Sequence, residues 1–370
     1  MSTTAQALVL REINGPLSFE KIQLGDLRAN EVLVEVHATG ICHTDISCMS
    51  GQLPATAPCV FGHEGAGVIM KTGSNVTHLT PNDKVLLSYA FCGTCKQCDS
   101  GHPAYCYQWV PNNFGQQRSD GSFPLSFENG DPLRGNFFGQ SSFASLAIVD
   151  VSCIVKVSPE SPLDRFAPLG CGFQTGAGAV LNTLDVQPGS TLVVYGAGSV
   201  GMSAIMAGKI REATTIIAVD LNQGRLELAK KLGATHTILG SDEDVVQQIQ
   251  ALCPPLGVEY AVDCTGIPPV IEKAVQALGA RGKLATVGAP TPGKTIKVDV
   301  FAQLVFGRQY VGCCEGDAQP DKILPYLIEQ HNQGNYPIEE LITTYPVEKY
   351  DEAISDMKSG KTLKAVLLWK

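Results

Sequence analysis

Four cysteines, Cys92, Cys95, Cys98 and Cys106, occur in FCGTCKQCDSGHPAYC with the spacing C-x2-C-x2-C-x7-C. Two-residue gaps turn successive thiolates inward on a tight loop, and the longer return closes a tetrahedron. Four thiolates leave no open coordination position, so a zinc held there is structural. The same short spacing also serves iron–sulfur clusters, although no further cysteine motif or Cys-Pro comes after it. The remaining alternative is a set of free surface thiols, which invite oxidation.

A second group of candidates is scattered. Cys42-His43-Thr44-Asp45, Gly62-His63-Glu64 and Gly170-Cys171-Gly172-Phe173 lie in separate loops. Singly, each has a bland reading as a buried cysteine, a satisfied core histidine or a small turn residue. Together, two Cys and one His make the three-ligand set of a catalytic zinc whose fourth position is open to water or substrate. His37, His78, His102, His236 and His331 have no comparable context.

Gly196-Ala197-Gly198-Ser199-Val200-Gly201 follows an apolar run, Thr191 to Tyr195, and opens a stretch rich in small residues. In a strand–turn–helix setting the first Gly permits the turn, the second lets backbone approach a pyrophosphate, and the third lets helix and strand pack closely. The pyrophosphate then rests on the helix N-terminus. Asp220 ends the next apolar run, where an acid accepts from the adenosine ribose and repels a 2′-phosphate, favouring NAD(H) over NADP(H). Arg225 could pair with Asp220 or flank the adenosine. The competing reading makes Asp220 only a helix cap.

These residues need two kinds of scaffold. Before residue 150, Glu31 to Val36 alternates with period two, and glycines and prolines punctuate the chain beyond it. That predicts an antiparallel β domain with long loops. After about residue 170, runs at 191–195, 215–219, 260–264 and 282–288 alternate with helical stretches at 200–209, 225–232 and 270–278. That pattern predicts βαβ units and a doubly wound parallel sheet. A final strand, Ala365 to Leu368, is expected to return to the first domain. With 370 residues, 44% hydrophobic and 17% charged, the chain can build two cores, and disorder is disfavoured. A net charge of −9 argues against nucleic acid or an anionic membrane as the main partner. No apolar run reaches the roughly 20 residues of a membrane helix. The N-terminus lacks the pattern of a secretory signal, so the 13 cysteines are expected in a reducing cytoplasm, as ligands or buried thiols.

GICHTD, GHEGAGVI, the four-cysteine loop, GCGFQTGAG and VVYGAGSVG resemble, in order and approximate spacing, the zinc-dependent medium-chain alcohol dehydrogenases over essentially the whole length. FFGQSSFA (137–144) and the stretch from Gly316 to Tyr345 are most similar to the aryl or benzyl alcohol branch. The resemblance implies a GroES-like catalytic domain (1–165 and 315–370) with an inserted Rossmann NAD-binding domain (166–314). It implies two zinc ions per chain, one held by Cys42, His63 and Cys171 and the other by the four-cysteine loop. Glu64 would be the carboxylate that can approach the metal, Asp45 the acid that orients His63, and Thr44 the hydroxyl that takes the alcohol proton. His43 stands where many members carry Arg, and Ser47 where many carry the outer relay histidine, so His43 is expected to meet phosphate, to release the proton, or only to pack against the cofactor. Gly196, Gly198, Ser199, Val200, Gly201, Asp220, Arg225, His43, Val287 and Lys364 are the implied cofactor contacts, although an isolated lysine such as Lys364 can equally be a solvated charge. Leu53, Ser88 and Ala289 resemble pocket-lining residues, with the aromatics of Trp109 to Phe143 serving either as further wall or as anchors of a long loop.

The expected activity is reversible NAD(H)-linked oxidation of aromatic or allylic primary alcohols to aldehydes. Alternatives are a pathway-specific aldehyde or ketone reductase, a glutathione-dependent formaldehyde dehydrogenase, and a non-catalytic nucleotide-binding protein. The family also implies a homodimer through the sheet edge near Val298 to Val311, with a tetramer as the other assembly.

Overall fold

In the computed structural model, which describes residues 3–370, the alternation at Glu31 continues through a strand, Glu31–Gly40. Its valines Val32, Val34 and Val36 are buried in one apolar cluster with Ile69, Val85, Leu87 and Val149. The chain divides into two units. One runs up to Cys171 and resumes over Gln319–Ile328 and Ile338–Lys370; the other comprises Gly172–Ala318 and Glu329–Pro337. The first division therefore falls later than the expected 165/166, so that Cys171 stays with Cys42 and His63. The short return 329–337 joins the second unit because Tyr336 is buried there, its Oη 2.6 Å from Ser203 Oγ and donating to the Phe173 carbonyl at 3.3 Å.

The first unit holds two sheets. The five-stranded sheet runs Cys59–Val60, Thr3–Leu10, Leu17–Leu24, Leu125–Phe127, Pro132–Leu133. The seven-stranded sheet runs Ile154–Lys156, Lys84–Leu87, Glu64–Thr72, Glu31–Gly40, Lys364–Leu368, Ile342–Pro346, with Leu146–Asp150 also paired to Glu31–Gly40. The last strand lies antiparallel to Glu31–Gly40, Val366 opposite Gly40, as expected of a strand that completes this domain. The long segment between the sheets is held by a buried ion pair, Arg118 to Glu31 at 2.6 and 2.8 Å.

The second unit is a six-stranded parallel sheet in the order His236–Leu239, Thr215–Asp220, Thr191–Tyr195, Val258–Asp263, Leu278–Thr286, Gln309–Gly312. Numbered within the unit this is 3-2-1-4-5-6, the doubly wound dinucleotide order, with its switch point beside the first strand. The helix Ser199–Ile210 buries Gly201, Ala204, Ala207 and Gly208, small residues that allow close approach to the sheet. Two helices start earlier than their apolar pattern predicts, at Gln223 and Pro268. Asn222 caps the one, its side chain accepting from Arg225 N at 3.2 Å, and proline is at home in the first turn of the other. Among the described residues, no helix is long and apolar enough to cross a membrane.

Candidate active site

Three elements of the first unit bring Cys42, His63 and Cys171 together. Cys42 begins the helix His43–Met49, His63 immediately precedes the strand Glu64–Thr72, and Cys171 follows a short helical turn, Ala167–Gly170. Their ligand atoms all lie within 4.8 Å of one another. Asp45 is fully buried and braces the set from behind. It accepts from His63 Nδ1 at 2.9 Å, from Cys42 N at 3.0 Å and from Gly62 N at 3.1 Å. With Nδ1 engaged, His63 Nε2 is left buried without a hydrogen-bond partner, which suits a metal ligand and would otherwise be costly. The hydrogen bond with Cys171, aided by the His63 imidazole, holds the Cys42 thiol well below its ordinary range, as a thiolate ligand requires. Thr44 Oγ1 stands 3.7 Å from Cys42 Sγ, so a hydroxyl lies beside the ligand set. His43 is exposed and Ser47 half-buried on the same helix.

Glu64 and Lys364 form a buried pair, with Nζ 2.8 and 2.9 Å from the two carboxylate oxygens and 3.2 Å from the Ile41 carbonyl. Burial pushes Glu64 up to about 6 against the pull of the lysine. Burial also works against the ammonium, but Glu64 more than offsets it and Lys364 stays charged. Three acceptors occupy an ammonium's three donors. Lys364 is therefore not a solvated charge; its contacts in this structure are with Glu64 and the Ile41 carbonyl. Ser88 also departs from expectation. It is buried and its hydroxyl donates to the Gly170 carbonyl at 2.7 Å, so it supports the turn before Cys171 rather than forming a pocket wall. Leu53 is half-buried, and Ala289, in the second unit, is exposed.

The loop aromatics anchor more than they line. Phe137 and Phe138 are buried against Phe61 and the half-buried Phe114 and Trp109, while Phe123 and Phe127 lie under Arg134 and Arg11. Phe138 reaches the metal group itself, stacking on the His63 ring at 4.4 Å between centroids. Sequence reasoning misses this contact, the Glu64–Lys364 pair and the partners of Gln140. The one available signal is the polar Gln140 amid the buried FFGQSSFA run.

Cys92, Cys95, Cys98 and Cys106 form a second group, also within 4.8 Å, on the loop around the short helix Lys96–Asp99. Backbone N–H groups point at sulfur, Cys92 N and Gln108 N donating to Cys106 Sγ at 3.3 and 3.4 Å. A backbone N–H from Thr94 is the main reason that the Cys92 thiol falls to about 6. These donors fit bound thiolates.

In the second unit the glycine turn has the shape its spacing predicts. Gly196 adopts φ +89°, which an L side chain resists. A Cβ at Gly198 would meet nothing within 4 Å, leaving its face open for a ligand, whereas one at Gly201 would strike the Gly196 carbonyl. Asp220 is not the helix cap. Its carboxylate accepts from Ala197 N at 2.7 Å and Asn222 N at 2.8 Å, with Arg225 at 3.9 Å. Ser199 and Val200 open the helix after the turn, and Val287 N donates to the Asp263 carbonyl at 2.9 Å.

Comparison with known proteins agrees with both halves. Residues 28–159 match the alcohol dehydrogenase GroES-like domain model, and residues 199–329 match the zinc-binding dehydrogenase model. The chain is 38% identical over 368 residues to a geraniol dehydrogenase of Castellaniella defragrans, covering 99% of this chain and 98% of that one. It superposes with a TM-score of 0.97 on an alcohol dehydrogenase zinc-binding domain protein from Burkholderia ambifaria, at 45% identity, covering 100% and 99% of the two chains. It superposes at 0.95 on benzyl alcohol dehydrogenase from Acinetobacter calcoaceticus, at 40% identity and 99% of each chain.

Proposed function

The chain belongs to the zinc-binding alcohol dehydrogenases, and on that premise we propose that it catalyses the reversible NAD(H)-linked oxidation of aromatic or allylic primary alcohols to aldehydes. The observation that carries the reading is the buried Cys42–His63–Cys171 donor set with an unpartnered His63 Nε2. When bound, zinc supplies Lewis acidity that lowers the pKa of an alcohol, and NAD supplies the hydride acceptor. Cys42, His63 and Cys171 would hold the metal, and Asp45 fixes the tautomer and ring direction of His63. Thr44 Oγ1 takes the alcohol proton, and exposed His43 offers it an exit in place of the histidine that Ser47 replaces.

Asp220, at the end of its strand, favours NAD over NADP through charge. Likeness to relatives named for geraniol and benzyl alcohol, one allylic and one benzylic, supports the substrate class. For assembly, Val300, Phe301 and Leu304 are 77%, 73% and 78% exposed on the helix before the edge strand Gln309–Gly312. Such an apolar patch supports a homodimer through that edge. The test is a panel of benzylic, cinnamyl, geranyl and short aliphatic alcohols with NAD and NADP, reporting kcat/KM. The expected result is at least a tenfold preference for the benzylic and allylic substrates with NAD. A preference for short aliphatic alcohols, or for NADP, would overturn the reading.

A further inference from the structure

Gln140 lies in the segment between the two sheets and is 1% exposed. Its side-chain oxygen accepts from Gly65 N at 3.1 Å, and its nitrogen donates to the His63 carbonyl at 3.0 Å and the Ser88 carbonyl at 2.8 Å. Both amide protons and the oxygen are thus spent on backbone. Ser88 continues the connection by donating to the carbonyl of Gly170, the residue before Cys171. Backbone at one metal ligand is in this way tied through two buried side chains to backbone beside another, and neither side chain belongs to the donor set.

The neighbouring chain is shaped for this placement. Phe138 and Gly139 both have positive φ, 50° and 68°. A left-handed phenylalanine costs energy that its surroundings must supply. The turn sets the Phe138 ring against His63 and delivers the Gln140 amide two residues later. At Gly65 a Cβ would come within 2.7 Å of Ser142 Cβ and 3.0 Å of Gln140 Oε1, so the strand presents bare backbone to the amide.

We propose that Gln140, acting through Ser88, is a positioning residue that keeps the His63 and Cys171 ligands in register for the metal. The proposal rests on the reading of Cys42, His63 and Cys171 as a metal site. In Gln140→Glu the oxygen facing Gly65 N survives and at least one of the two donations is lost, since a buried carboxyl group has at most one O–H to donate; in Ser88→Ala only the link to Gly170 is lost.

The experiment tracks metal release from the full-length, zinc-loaded chain into a chromogenic chelator, with the four-cysteine site as internal reference. Wild type should release two zinc ions per chain in two phases. Each variant should release one of them 10–100-fold faster, the scale of loss when groups supporting metal ligands are removed, while the other phase and the thermal midpoint of the four-cysteine-loaded form change little. Equal release rates in variants and wild type would overturn the proposal, as would parallel acceleration of both phases, which marks general loosening. Should Gln140→Glu fail to fold, Ser88→Ala decides alone. A wild-type chain that binds a single zinc would overturn the metal reading itself, an outcome distinct from failure of the Gln140 proposal.

Discussion

Replacing Gly198 and Gly201 by alanine, one at a time, should separate ligand approach from packing within a single turn. Gly198 has extended backbone, φ −77° and ψ −171°, which any residue adopts, and a Cβ there meets nothing within 4 Å. Stability of Gly198→Ala should therefore stay within about 0.5 kcal/mol of wild type. The methyl nevertheless occupies the face through which backbone reaches a pyrophosphate. Losing one charge-assisted hydrogen bond costs about 1.5–3 kcal/mol, which is roughly a ten- to hundredfold weaker affinity for NAD.

Gly201 behaves oppositely. Its Cβ would collide with the Gly196 carbonyl, backbone against backbone, so no side-chain rotation relieves the clash. Overpacking costs about 1–3 kcal/mol and helix propensity returns about 1, so a rigid clash at the upper end leaves a net loss of about 2 kcal/mol. Thermal melts with and without NAD, together with calorimetric titration of NAD, read both quantities. Wild-type NAD affinity in Gly198→Ala, or an undiminished melting temperature in Gly201→Ala, would refute this division of roles.

Asp45→Asn replaces an oxygen that accepts buried N–H groups with a donor, and should weaken metal binding at the Cys42–His63–Cys171 site about 10–100-fold while the four-cysteine site holds, as measured by chelator competition. Arg118→Met strips Glu31 of its charged partner at side chains only 9% and 8% exposed, and should lower stability by about 3–5 kcal/mol in urea melts. Burial pushes Cys59 and Cys313 up to about 12. At pH 8 roughly one thiol in ten thousand is then ionised, and mass spectrometry after iodoacetamide treatment of the folded chain should find both unmodified until denaturant is added.

What the sequence reveals depends on how local the determinant is. The four-cysteine loop and the glycine turn are legible because a few consecutive residues set their geometry. Four strands of the parallel sheet are legible in the alternating runs and fall within a few residues of them; the edge strands His236–Leu239 and Gln309–Gly312 are not, and the helix Pro268–Ala277 starts two residues ahead of its apolar pattern. Cys42, His63 and Cys171 are far apart in the chain and meet through sheet topology; residue type suggests them as a zinc set, and family resemblance singles them out. Resemblance puts Lys364 near a pyrophosphate, but nothing in the sequence announces its burial beside Glu64. Gln140 escapes assignment, since all three of its partners are backbone atoms that no residue type announces.

The path of the chain has a practical corollary. The polypeptide crosses between its two units four times, after Cys171, Ala318, Ile328 and Pro337. A gene fragment ending at Ala318 would omit Tyr336, leaving the hydroxyl of Ser203 without that phenol. Neither unit can be excised as one uninterrupted piece. Any chimera that grafts another nucleotide-binding half onto this scaffold must carry residues 329–337 with it, or it will exchange a strand set while orphaning the tyrosine that closes it.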